Sequence, residues 1–237
     1  MERGDIMKKS GRHLRTGLVI TGSVVTMAMF LFFAHSMFGV AAQGKAKMEG
    51  LVVSIRDGKF ERFRQNLWSP LRVGQEISRE DRVRTDKTAV VIVTLADIGR
   101  IVIGPSSDIE LGKDPKDFNI KMQRGFAWFE SNLPKGSKAS ITTSLATAGV
   151  RGTAFCVCYD GKNYCASTCF GEIEVSLDGG RVIKVPKGQY FAFTAGSPIP
   201  GKTESAASLL EKTGAGFDFC FNCHVVGGGG KLRPDRK

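Results

Sequence analysis

Between Leu51 and Phe193 the chain is built from short apolar, β-branched runs separated by turn residues. "LVVSIR" and "KFERF" flank Asp57-Gly58, a dipeptide suited to the positive φ angles of a tight turn, and predict a hairpin. "AVVIVTL" (89–95) is too short and too β-branched for a helix. The turn "ADIG" follows it, and "RIVIG" then returns as a second strand stopped by Pro105. Alternation puts Phe126, Trp128 and Glu130 on one strand face and Ala127 and Phe129 on the other. "EIEVSL" and "RVIKV" around Asp178-Gly179-Gly180 predict another hairpin, and Pro186-Lys187-Gly188 leads into "QYFAF". No long helical period intervenes. The pattern predicts an all-β, multi-stranded, hairpin-rich domain over 48–195.

Both flanks differ from this body. Leu18–Ala42 contains no Lys, Arg, Asp or Glu over 25 residues, and about 20 apolar residues suffice to cross a bilayer. Five cations (Arg3, Lys8, Lys9, Arg12, Arg15) against two anions (Glu2, Asp5) leave +3 before it. That bias predicts a short basic cytoplasmic segment (1–16) and a single transmembrane helix (17–42), with the remainder exported to the periplasm. Val40-Ala41-Ala42 resembles a signal-peptidase site, so cleavage is the alternative to a retained inner-membrane anchor. His35, near one end of the apolar run, reads as an interfacial histidine. Beyond the body, 196–237 reads as a linker and tail, with two helical turns expected from Glu204 to Lys212, ended by Gly214.

Charge adds little. The leading segment and the tail after His224 each carry +3 of the total +11, leaving +5 on the body. An exported body with that charge has a solvated surface, and no nucleic-acid partner is expected. Anionic lipid or cell-wall polymer is the acidic neighbour that fits.

The stretch "ATAGVRGTAFCV" (146–157) resembles the FecR family of regulators. "LRVGQEISREDRVRTDKTAVVIVTLADIGRIVIGPSSDIEL" upstream resembles the opening of that family's domain, and "GEIEV" and "VPKGQYFAF" resemble its close. The likeness covers about Leu71 to Phe193 and implies a binding, sensing or assembly module in the envelope. Gly149 and Gly152 would allow a sharp turn before a strand, with Thr153 bonding locally. Arg151 could hold a carboxylate, either as a bridge between strands or as a ligand contact. Signal-transducing members carry a sizeable cytoplasmic segment that handles a sigma factor. About 16 residues are too few to bury a core, so the expectation is an unidentified envelope ligand or protein, with no sigma factor.

Six cysteines fall in two groups. If 160–163 is a hairpin loop, Tyr159 pairs with Tyr164 and Cys158 with Cys165, placing Cys156, Cys158, Cys165 and Cys169 on one face. In an oxidising envelope, disulfides are the first expectation, with Cys158–Cys165 foremost. A four-thiolate metal site and buried free thiols are the alternatives. The second group, Cys220-x-x-Cys223-His224, has the spacing of a haem c attachment site. The segment "CHVVGGGGKLRPD" resembles the haem-attachment region of class I cytochromes c, with Arg233 in place of the glycine before Pro234. Haem c bound by Cys220, Cys223 and His224, a Cys220–Cys223 disulfide, and another metal all remain open at this point. "GGGGK" (227–231) is not a P-loop, since Leu232 stands where Ser or Thr is required. The exported part has one histidine, His224, and no paired nucleophile and base, so no enzymatic activity is expected.

Overall fold

The structure is a computed structural model that describes residues 50–150, 154–206, 225–226 and 231–232. Of the body's strands, β1 (Gly50–Arg56), β2 (Phe60–Arg64), β3 (Leu67–Pro70), β4 (Glu76–Ile77), β5 (Arg82–Thr85) and β6 (Val90–Leu95) come first. There follow β7 (Gly99–Ile103), β8 (Asp108–Glu110), β9 (Asp117–Ser131), β10 (Lys138–Thr142), β11 (Ala146–Val150) and β12 (Ala154–Tyr159). The last are β13 (Asn163–Phe170), β14 (Glu172–Leu177), β15 (Val182–Pro186), β16 (Gln189–Thr194) and β17 (Glu204–Ser205). Two-residue strands at Val225–Val226 and Lys231–Leu232 pair with each other outside the body. The all-β expectation holds for the body.

The ladders form two sheets that share β9. Sheet I runs β4-β1-β6-β7-β9-β12-β13-β16-β17. Sheet II runs β3-β2-β5-β8-β9-β10-β11-β14-β15. Every pairing is antiparallel except β9 with β10. The first half of β9 belongs to sheet II, and the half after Gly125 belongs to sheet I. Gly125 has φ +112° and lies so close to Ser107 that a Cβ there would collide with it. Ser107 locks this corner: its Oγ donates to Gly104 O at 2.8 Å and accepts from Phe126 N at 3.0 Å. A fully buried hydroxyl therefore satisfies the backbone groups that the bend releases from regular pairing.

Between the sheets lies one apolar core, including Val52, Phe60, Ile101, Phe118, Phe129, Phe155, Val157 and Phe191. Phe129 is central to it, with Phe118 at 6.2 Å and Phe155 edge-on at 6.1 Å between ring centroids.

Three local expectations are corrected. Asp57 and Gly58 do adopt positive φ (48° and 82°), but the strands they join do not form a hairpin. Strand β1 pairs with β4 and β6, while β2 pairs with β3 and β5, so this turn passes the chain from one sheet to the other. Asp86 explains the arrangement. Its carboxylate accepts from Lys59 N at 2.8 Å, Thr88 N at 3.0 Å and Ala89 N at 2.9 Å, fastening the β1–β2 turn to the β5–β6 turn. Second, the helical turns do not start at Glu204: Glu204–Ser205 is a strand paired to Gln189–Tyr190, so the body's pairing extends past residue 195, Ala206 is helical, and 207–212 lie outside the described residues. Third, Gly149 sits within β11, opposite Ser140 and Glu174, and not in a turn.

The apolar segment Leu18–Ala42, with His35, lies outside the described residues. Among those that are described, no helix is long and apolar enough to cross a membrane.

Candidate functional site

The hairpin of β12 and β13 carries the body's cysteines. Its loop is fixed by Asp160, whose carboxylate accepts from Asn163 N at 2.7 Å and Lys162 N at 2.9 Å, while Gly161 takes φ +101°. These bonds, Asn163's first, lower the Asp160 pKa. The register is the expected one: Tyr159 faces Tyr164 and Cys158 faces Cys165. Phe155, Val157 and Tyr159 point into the core, so Cys156 and Cys158 lie on the opposite face of sheet I.

That outer face is not an ordinary solvent face. Val90, Val102, Phe126, Trp128, Ala154, Cys156, Cys158 and Cys169 form a second buried apolar cluster there, with Ile92 and Cys165 packed against it. Trp128 is 5% exposed and Cys156 1%. Strand register explains how they meet, since Trp128 lies between Val102 of β7 and Cys156 of β12. Cys156 in turn faces Ser167, with Sγ and Oγ 3.0 Å apart. At the rim, Arg100 pairs with Glu130 at 2.7 Å and lies 5.6 Å from the centre of the Trp128 ring.

Cys158 and Cys165 carry free thiols, so the disulfide expected between them is not formed in this structure. The physical reason lies in the ladder. Directly opposed side chains place their Cβ atoms about 4.5–5.5 Å apart, whereas a disulfide draws them to about 3.5–4.5 Å. Burial raises the Cys158 pKa well above the ordinary thiol value, with Cys165 adding to the effect, and burial pushes Cys165 up to about 12. Both are thus neutral near pH 7. Beside them Tyr164 is buried with no hydrogen-bond partner for its hydroxyl. Burial, then the neighbouring Cys165 and Cys158, pushes its phenol upward. A metal at this face would have to displace protons from buried thiols. Among the described residues no three His, Cys, Asp or Glu side chains gather as a metal site requires.

The other predicted site residues lie elsewhere. Cys220, Cys223 and His224 are outside the described residues, as are Arg151, Gly152 and Thr153.

Sequence reasoning missed a second constellation, on the outer face of sheet II. There the Phe63 and Trp68 rings pack at a tilt of 47° with centroids 5.2 Å apart, and the Arg84 guanidinium sits 4.0 Å from the Trp68 ring centre. Arg82 pairs with Asp108 at 2.7 Å and Arg84 with Glu61 at 2.8 Å. On the opposite face of β2, the side of the core residue Phe60, Arg64 grips Asp81 at the sheet's edge through Nη2 at 2.8 and 2.9 Å. The signal was present as Arg-x-Arg at 82/84, a period of two around Val83 that puts both arginines on one strand face.

Comparison with known proteins bears on what such a domain is. Residues 81–174 match the FecR protein family. The matched span covers β5 to β13 in full, so it includes the cysteine hairpin. The fold is also similar to a crystal structure of a candidate anti-sigma factor from Parabacteroides distasonis ATCC 8503, at 18% identity and a TM-score of 0.49. That likeness covers 54% of this chain and 62% of the other. A second structure of that description, from the same organism, matches at 19% identity and a TM-score of 0.47, covering 52% and 60%. This chain thus spans about three-fifths of the solved chains it resembles. No curated protein matches the sequence.

Proposed function

We propose that this chain is a membrane-tethered envelope protein whose FecR-like domain acts as a sensing or binding module toward a partner protein or ligand. The observation that supports the reading best is the FecR match at residues 81–174, which falls on the all-β body and leaves the apolar N-terminal stretch outside it. The body's chemistry agrees with binding. Its polar side chains are engaged in structural pairs such as Arg64–Asp81 and Arg82–Asp108, and its cysteine pair is neutral near pH 7. No catalytic step is assigned to it. The tether is Leu18–Ala42, held with its N-terminus inside by the cations that precede it.

The test is a pair of reporter fusions after residue 60. A reporter that works only after export is expected to be active and a cytosol-only reporter silent; the reverse result overturns the reading. A pulldown with residues 1–16 is expected to recover no sigma factor.

A further inference from the structure

We propose that Cys158 and Cys165 form a dithiol site that closes and reopens by thiol–disulfide exchange with an external disulfide, giving the domain a redox-dependent state. The inference goes beyond the sensing role and stands on the body's geometry alone.

Three observations carry it. The two residues are a direct cross-strand pair, and both thiols are free. They form the one cysteine–cysteine pair in register among the described residues. Cys156 faces Ser167 instead, so it meets Cys165 only diagonally, at about 7–8 Å, beyond the usual Cα span of a disulfide. The pair is also held from both sides, because Cys158 is paired with Phe126 of β9 and Cys165 with Ala192 of β16. Opposed Cβ atoms typically lie about 4.5–5.5 Å apart and a disulfide draws them to about 3.5–4.5 Å, so closing the bond works against two neighbouring strands. A bridge formed against that resistance is strained, and strained bridges are the reducible, labile ones.

The two thiols are not equivalent. Cys165 is partly exposed beside the 160–163 loop, whereas Cys158 is buried. Exchange therefore begins at Cys165. It loses its proton to solvent, and its thiolate attacks one sulfur of the external disulfide, forming a mixed disulfide and releasing one thiolate. Cys158 then loses its proton and attacks the Cys165 sulfur, forming Cys158–Cys165 and releasing the second thiolate. Two protein thiols are oxidised and one external disulfide is reduced to two thiols. Burial makes the first step slow, because so little of the Cys165 thiol is ionised. With its pKa pushed up to about 12, and with the higher intrinsic nucleophilicity of a more basic thiolate, the step is slower than for a free cysteine by about a hundredfold near pH 8.

The experiment uses the full chain in detergent, equilibrated at pH 8 in mixtures of reduced and oxidised glutathione. Samples are acid-quenched, alkylated and digested with trypsin. Lys162 lies between the two cysteines, so a bridge joins the peptide ending there to the one beginning at Asn163. The expected result is a joined peptide that grows as the mixture becomes oxidising and disappears on return to reducing conditions. Fragment spectra should place the bond at Cys158 and Cys165, and alkylation of Cys165 should run about a hundredfold slower than in a short peptide. Cys165→Ser should abolish the joined peptide at an unchanged melting temperature. The inference is overturned if both thiols stay alkylatable at the most oxidising ratio or if the bond persists under reduction. A bond joining Cys158 or Cys165 to any other cysteine, or Cys165 reacting as fast as the peptide, also overturns it. The wild-type measurement decides the matter even if the variant does not fold.

Discussion

The outer faces of the two sheets follow opposite rules. On sheet II, β14 alternates strictly, with Ile173, Val175 and Leu177 buried and Glu172, Glu174 and Ser176 exposed. Its neighbours carry paired charges on the same outer side, such as Lys184–Glu172 and Lys121–Glu110. On sheet I, β12 is buried at all six positions, and the face turned away from the core holds Trp128, Val102 and the cysteines. Antiparallel strands with one face in water alternate, while strands covered on both faces are apolar nearly throughout. The difference teaches that sheet II ends in an ordinary solvated surface, whereas the middle of sheet I is interior on both sides. A redox pair placed on sheet I is therefore shielded, and one placed on sheet II would not be.

Truncating the two tryptophans is the severest test of this contrast. Trp128→Ala removes a ring that is 5% exposed and should cost about 3–5 kcal/mol, as for other buried aromatics. Trp68→Ala removes a half-buried ring held by Phe63 and Arg84 and should cost only about 1–2 kcal/mol. Denaturant melts of both variants give the comparison; equal costs would mean that the two outer faces are alike.

The next effect sits at the edge of sheet II. Asp81 is 4% exposed and accepts from Arg64 and from Ser78 N, with Arg62 3.7 Å away. Arg64 itself is 46% exposed, which screens the pair. Asp81→Ala should therefore cost about 2 kcal/mol, less than the loss of Trp128. A larger cost would show that sheet II has an interior of its own at this point. Smaller again is Arg82→Gln, which breaks the bidentate pair with Asp108 on a surface that is 43% exposed at the arginine. A loss of about 0.5 kcal/mol that shrinks further in high salt is expected. Trp128→Ala should show no such salt dependence.

How much of this was legible in the sequence depended on how local the cause was. The hairpins of β6 with β7 and β14 with β15, the Tyr159–Tyr164 register and the shared face of Phe126 and Trp128 all follow from alternation and from turn residues a few positions away. The continuously apolar "AFCVCY" already departed from alternation, though only the structure reveals a second cluster on its far side. What could not be read was long-range. The 15-residue β9 serves two sheets because Ser107 and Gly125 make a corner together, and they are 18 positions apart. The hairpin expected at Asp57-Gly58 fails for the same reason. Its turn chemistry is satisfied locally, but β1 pairs with β4 and β6 in one sheet while β2 pairs with β3 and β5 in the other. The cysteine face was legible as a face. Its protonation was not, because that depends on burial which the local sequence does not encode.

Asp86 provides the finest test, since it fastens together the two turns that pass the chain between the contrasting sheets. Its side chain accepts hydrogen bonds from Thr88, Ala89 and Lys59, Thr88's backbone contributing most, and these hold its pKa down to about 2 from an ordinary 3.8. The bonds favour the ionised form, so the folded state releases this proton more readily than the unfolded chain does. The stabilisation is therefore fully present above the ordinary value of 3.8 and is lost as pH falls through about 2. The carboxylate is exposed, so the effect is small. Denaturant midpoints of the wild type and Asp86→Ala should differ at pH 6 and converge as pH falls from 4 to 2. Asp86→Asn should behave as the alanine variant does at the Lys59 amide, because a neutral amide oxygen accepts that bond more weakly. If the wild type instead gains on the variants as the pH falls, the clamp does not act through its charge, and some other contact must hold the two turns in register.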